Sequence, residues 1–237
     1  MALPSTNRLD HIVHLTPPGS LNETTEQFQK LGFNVLSGGS HADGLTENSL
    51  IILADHVYLE LISFVKPVDA YPPGSPGRLA RENHRWASKK PGWIDYSFLG
   101  NGSETILISD IINSRAEAGG DDALYSPETP GGRTRPDGEI LKWIITSPLP
   151  AEGTPPPLPF FCGDVTPRES RVPTNPSSNT EHPCTAKGIA FVHLQVPSET
   201  WDYFSQSLDY VIGSPGVASA RCRARMAAGC SERACWA

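Results

Sequence analysis

Apolar and polar residues alternate along residues 9–15. Leu9, His11, Val13 and Leu15 share one face and Asp10, Ile12 and His14 the other, the two-residue period of a β-strand. Pro17, Pro18 and Gly19 stop it. Ser20 opens a helix, with Glu23 at the spacing of a capping box, and Leu21, Phe28 and Leu31 form an apolar stripe that ends at Gly32. Residues 33–36 restart as a strand, and Ser37-Gly38-Gly39-Ser40 reads as a turn. Residues 46–53 and 57–65, rich in β-branched and aromatic side chains, are two further strands around a turn at Asp55 and His56. The order is β-α-β-β-β.

The same order returns with looser spacing. Residues 67–85, with Tyr71-Pro-Pro-Gly-Ser-Pro-Gly at their centre, predict an irregular loop. Residues 93–99 form a strand. Residues 103–118 form a helix, with Leu107, Ile108, Ile111 and Ile112 on one side and Gly119-Gly120 at its end. A hairpin turns near Pro136-Asp137-Gly138 into a strand over 139–146, and residues 158–163 supply the last strand. A proline- and serine-rich connector follows. The strand at 189–196 and the helix carrying Trp201, Phe204 and Leu208 then read as the opening of a third copy that stops short. The predicted organisation is a first βαβββ module over 8–66, a second over 86–165, a connector over 166–187, a truncated third module over 188–213 and an atypical tail over 214–237.

That tail breaks the pattern. Residues 217–237 hold seven alanines, four arginines and three cysteines without strand alternation. One reading is a basic tail. The other, favoured because the repeat stops abruptly, is a stretch foreign to the fold, such as a frame change or a retained intron.

Composition narrows the class. The 237 residues are 38% hydrophobic and 19% charged, and no apolar run approaches the roughly 20 residues that span a bilayer. Twenty-one glycines and 23 prolines predict many loops and short strands. A net charge of −7 argues against a nucleic-acid partner. Five unevenly placed cysteines, with no apolar leader and no CxxC pair, suit reduced thiols and a cytoplasmic protein. There is no GxSxG elbow, phosphate loop or HExxH, and Gly38-Gly39 is too short a signal for a phosphate cradle.

His11 and Glu60 are the residues best placed to carry chemistry. Glu60 shares a strand face with Tyr58 and Ile62, and His11 sits among apolar neighbours on the first strand. An ionisable group there is costly to bury unless it is paired or metal-bound. Imidazole plus carboxylate suits zinc, iron(II), manganese or nickel, and a metal-free His–Glu hydrogen bond across the sheet is the alternative. His41, Thr46 and Asn48 form a polar group read either as substrate contacts or as ordinary turn chemistry. Asp95, Asp164 and His193 are weaker candidates for completing a ligand set. His14, His56, His84 and His182 read as solvated, and Trp86 and Trp93 either wall a pocket or belong to the core.

Leu9-Asp-His-Ile-Val, Leu31-Gly-Phe, Gly38-Gly-Ser-His41 and Tyr58-Leu-Glu60-Leu-Ile, in that order, resemble the glyoxalase-like branch of the vicinal-oxygen-chelate superfamily. The resemblance implies an α+β fold of repeated βαβββ modules, of the glyoxalase/dihydroxybiphenyl dioxygenase type, around a divalent-metal cleft. It also implies a small oxygenated organic substrate, His11 and Glu60 as metal ligands, and Glu60 as a base that leaves the metal; the pairing of modules is compatible with a homodimer. The reaction type (lyase, isomerase or dioxygenase) stays open. The alternatives are a non-catalytic small-molecule binding protein of the same fold and an inactive truncated product.

Overall fold

A computed structural model of the chain describes residues 3–150 and 157–214 and the backbone of 232–236. Eight strands close into a barrel. The first four are β1 (Leu9–Thr16), β2 (Leu36–His41), β3 (Thr46–Ile52) and β4 (Tyr58–Phe64), with α1 (Leu21–Lys30) between β1 and β2. After α2 (Pro76–Asn83), the second four are β5 (Gly92–Leu99), β6 (Thr129–Thr134), β7 (Ile140–Thr146) and β8 (Phe160–Asp164), with α3 (Ile108–Ala118) following β5. Around the barrel the order is β1-β4-β3-β2-β6-β7-β8-β5. Each half has the same internal plan: its first strand lies parallel to its last (β1 with β4, β5 with β8) and the middle strands run antiparallel. The halves join through the antiparallel pairs β1–β5 and β2–β6. The mixed α and β content and the closed curved sheet agree with the fold class predicted from the repeat.

Alternation sorts side chains between the barrel interior and its outer face. Val13, Leu15, Ile62, Phe64, Leu141, Trp143 and Phe160 pack together with Trp86 in one cluster. Outside, Leu21 of α1 covers Ile51, Leu59 and Leu61, and Ile108, Ile111 and Ile112 of α3 cover Tyr96, Phe98 and Phe161. The segment after β8 holds a short helix, α4 (Arg168–Arg171), and then β9 (Val192–Val196) and α5 (Trp201–Ile212). α5 lays Phe204, Leu208, Val211 and Ile212 into the α3 cluster. β9 pairs in backbone register with β10 (Glu232–Trp236). Most of the atypical tail lies outside the described residues.

Several local predictions are corrected. The Ser37–Ser40 stretch is the body of β2 rather than a turn, because its glycines let β2 lie close to its neighbours: a side chain on Gly39 would meet the Thr134 carbonyl at 2.1 Å. The predicted loop over 67–85 contains α2, opened by Pro76 and capped by Ser75, whose Oγ accepts from the Arg78 amide. Ser20 does not cap α1; its hydroxyl donates to the Pro17 carbonyl. Leu31 is exposed, beyond the end of α1. The second-half helix begins at Ile108, since Ser103 binds the amides of Thr105 and Ile106 in a turn. Leu9 leaves the face of Val13: two β1 residues oppose one β5 residue between Leu9 and His11, a bulge that sends Leu9 to the outer cluster.

Candidate functional site

The barrel encloses a cavity of about 240 Å³. All five residues singled out in the sequence line it: His11 from β1, His41 from the end of β2, Thr46 and Asn48 from β3, and Glu60 from β4. The register explains the convergence. Leu50 of β3 stands opposite Glu60, and Asn48, two residues along, is on the same face. Val13 of β1 stands opposite Glu60, which puts His11 two residues away on that face.

Glu60 is 5% exposed and is approached from three sides. The Asn48 amide donates to Oε1 at 2.5 Å. His41 Nε2 lies 3.8 Å from the same oxygen, and His11 Nε2 lies 3.7 Å from Oε2. Both imidazoles are tied back through Nδ1, His11 to Asp10 at 2.8 Å and His41 to the Thr46 hydroxyl at 2.8 Å. The His11 ring also stacks on Tyr58, centroids 4.6 Å apart, and meets the edge of Phe160. Burial lowers the His41 pKa, with Glu60 opposing that effect, so the ring is neutral at pH 7.

Behind His11 lies an ionic group that pattern reasoning missed. The bulge in β1 brings Asp10, fully buried, to the side of His11. Asp10 takes Arg171 at 2.9 and 3.2 Å and Arg168 at 2.6 Å, and both arginines also bind Asp164. Burial works against the Asp10 charge, but Arg171, His11 and Arg168 outweigh it and hold the carboxyl well below the usual range. An ionised carboxylate only accepts, so His11 Nδ1 is the donor and Nε2 faces Glu60. Arg171 is itself buried, lines the cavity and donates to the Tyr58 hydroxyl at 2.8 Å.

Arg133 of β6, 3% exposed, was also missed. It donates to Asn48 Oδ1 at 3.1 Å and to the Arg171 carbonyl at 3.1 Å, while its Nε has no partner among the described residues. Gly38 makes room for the pair, since a Cβ there would sit 2.0 Å from Asn48 Oδ1 and 2.8 Å from the guanidinium. A glycine in β2 opposite a polar residue was the available signal.

Other candidates lie elsewhere. Asp95 is not on the cavity wall; it accepts from Arg85 at 3.0 Å and from the Trp86 indole at 2.8 Å. Asp164 is engaged by the arginines, and His193 is exposed on β9. Three histidines read as solvated are not: His14 is half-buried, packed edge-on against Phe28 and Trp93 on the outer face, and His84 and His182 are covered elsewhere. His84 lines the cavity, and burial lowers its pKa to about 4. His182 is buried, accepting from the Asn34 amide and bonding the Ile52 carbonyl. Trp86 walls the cavity, whereas Trp93 is 55% exposed on the outer face.

The donors that come nearest to a metal set are His11, Glu60 and His41. The two imidazoles address different oxygens of Glu60, and among the described residues no group of three or more His, Cys, Asp or Glu is arranged to hold a metal ion. The residues as placed do not complete a coordination shell. Among the described residues no helix is long and apolar enough to cross a membrane.

The glyoxalase-like domain family matches residues 9–206. The chain belongs to that family, which agrees with the resemblance to the glyoxalase-like branch of the vicinal-oxygen-chelate superfamily. No curated protein matches the sequence. A hypothetical protein from Staphylococcus aureus is similar in structure, with a TM-score of 0.55 and 13% identity over 86% of this chain and 75% of the other. Methylmalonyl-CoA epimerase from Mycobacterium tuberculosis aligns more loosely, with a TM-score of 0.40 and 15% identity over 72% of this chain and 96% of the other.

Proposed function

We propose that the chain is a glyoxalase-like enzyme that moves a proton on a small oxygenated organic molecule held in the barrel cavity. One observation carries this reading: the buried Glu60 carboxylate, with imidazole nitrogens at 3.7 and 3.8 Å and an amide donor at 2.5 Å. Glu60 takes a proton from a carbon adjacent to a substrate carbonyl. The C–H electron pair moves onto the carbonyl oxygen to give an enolate. The pair then returns as Glu60 gives the proton back to the same carbon or, where that carbon bears a hydroxyl whose proton passes to the enolate oxygen, to the former carbonyl carbon, an isomerase-type outcome that needs no further reactant. The enclosing aromatic side chains Trp86, Trp143 and Phe160 limit water around the base. Cys162 and Cys184 are free thiols, which suits a cytoplasmic setting.

The test is hydrogen exchange in D2O, followed by proton NMR on hydroxyacetone, pyruvate and related small carbonyl compounds. Wild type should exchange the hydrogens beside the carbonyl of at least one of them, and Glu60→Gln should slow this about 10²–10⁴-fold. Equal rates in both proteins, or no exchange with any compound, would sink the proposal in favour of a non-catalytic binding protein.

A second reading, a divalent metal at His11, Glu60 and His41, is favoured by one feature. Both imidazoles are tied back at Nδ1 and present Nε2 to Glu60, as metal-ligating histidines are commonly oriented by an outer partner. A bound zinc, iron(II), manganese or nickel ion would polarise adjacent substrate oxygens. Metal content of the purified protein beside His11→Ala decides it: substoichiometric metal, the same in both, removes this reading.

A further inference from the structure

Three arginines line the cavity, and two are matched by carboxylates: Arg171 by Asp10 and Asp164, and Arg85 by Asp95. Arg133 has no carboxylate within 4.0 Å among the described residues. A guanidinium has five N–H groups, and among the described residues Arg133 donates only to Asn48 and the Arg171 carbonyl, with the buried Nε unpartnered there. Burial pushes its pKa down, and Tyr58 and Glu60 offset part of that. A buried, unmatched cation is costly unless an anion joins it.

We propose that Arg133 anchors a carboxylate on the substrate, so that the substrate class is a small oxo or hydroxy acid. This deepens the proton-transfer reading and rests on it for the identity of the cavity as the substrate site. Asn48 makes the arrangement workable. Its carbonyl takes Arg133 and its amide takes Glu60, so the anion-binding group and the base stand on opposite ends of one fixed side chain. The negative end of a substrate then lies toward Arg133 and the reacting carbon toward Glu60, which keeps the two carboxylates apart. Planar two-point bonding to a carboxylate is what a guanidinium does well and an ammonium does less well.

The experiment titrates the full-length protein with pyruvate and with methyl pyruvate, its uncharged ester, following the tryptophan fluorescence that Trp86 and Trp143 place beside the cavity. Pyruvate should bind saturably and at least about tenfold more tightly than the ester, a charge-assisted bidentate contact being worth that much or more. Arg133→Met should erase the preference and Arg133→Lys should keep part of it. Equal binding of acid and ester to wild type, or no saturable response to either, overturns the proposal without any variant. So does an undiminished preference in an Arg133→Met protein with a wild-type melting temperature. Glu60→Gln separates the two ideas. Acid preference with exchange unaffected by that change sinks only the proton-transfer reading; exchange abolished by it, with no acid preference in wild type, sinks only the anchor.

Discussion

Asp10 and His11 are neighbours in sequence on one strand, yet the Asp10 carboxylate reaches His11 Nδ1 at 2.8 Å. Regular pleating would put them on opposite faces, and the bulge between Leu9 and His11 removes that separation. The contact fixes which imidazole nitrogen faces Glu60. Asp10→Asn keeps the shape but lets an amide donate at this position, which sets the wrong tautomer. Exchange activity should fall, because a proton on Nε2 would be offered to the Glu60 carboxylate and weaken it as a base. The imidazole nitrogen shifts in NMR should show the proton moved to Nε2; an unmoved tautomer would refute the assignment.

Arg171 crosses from the segment after the barrel to bind Asp10, Asp164 and Tyr58 in the interior. Arg171→Met leaves two carboxylates short of their main counter-charge and should cost about 3–5 kcal/mol in urea unfolding. Adding Asp10→Asn should recover part of that, because the orphaned charge is gone. The pH dependence follows from the depressed Asp10 carboxyl. Its stabilisation is complete above the unfolded carboxyl value of roughly 3.9 and fades as pH falls below it toward the folded value. Wild type should therefore lose more stability than Asp10→Asn between about pH 5 and pH 3; parallel curves would contradict the pairing.

The inward set of β4 was legible because Tyr58, Glu60 and Ile62 alternate with Leu59 and Leu61, and a period of two leaves no other placement. The meeting of His11 with Glu60 followed from that alternation in two strands. Asp10 was not legible, because alternation assigns it outward and nothing in the residue types announces a bulge. Arg171 and Arg133 were hidden for another reason: their partners lie 161 and 85 positions away, and one sits in a segment that reads as connector. His84 and His182 were misplaced because loop composition says nothing about whether a loop folds back over a barrel.

His84 is half-buried beside Phe64 and Trp86, and its pKa falls to about 4 because burial disfavours the cation more than Asp43, at 4.0 Å, favours it. The unfolded chain takes up this proton near pH 6.5 and the folded chain does not. Stability contributed by neutral His84 is thus complete above about pH 6.5 and declines as pH drops toward about 4. His84→Asn retains an acceptor for the Trp86 amide, which His84 Nδ1 binds at 3.2 Å, and should flatten the stability curve across that window. An unchanged slope would mean that another group dominates there.

Gly38 gives the most local test of how the fold builds the site. β2 passes so close to the Asn48–Arg133 bond that a methyl group would overlap both partners. The Asn48 side chain, held by Arg133 on one side and Glu60 on the other, has no free rotamer in which to yield without breaking one of these bonds. Gly38→Ala should therefore cost about 1–3 kcal/mol from overpacking, read in denaturant unfolding. It should also weaken exchange activity, because Glu60 loses its amide donor. Gly44→Ala is the matched control: it has open space around the added carbon and only its positive φ of 67° to strain it. It should lower stability with little effect on exchange. If Gly38→Ala lost no more activity than Gly44→Ala at equal folded fraction, Asn48 would not be holding Glu60 in its working position.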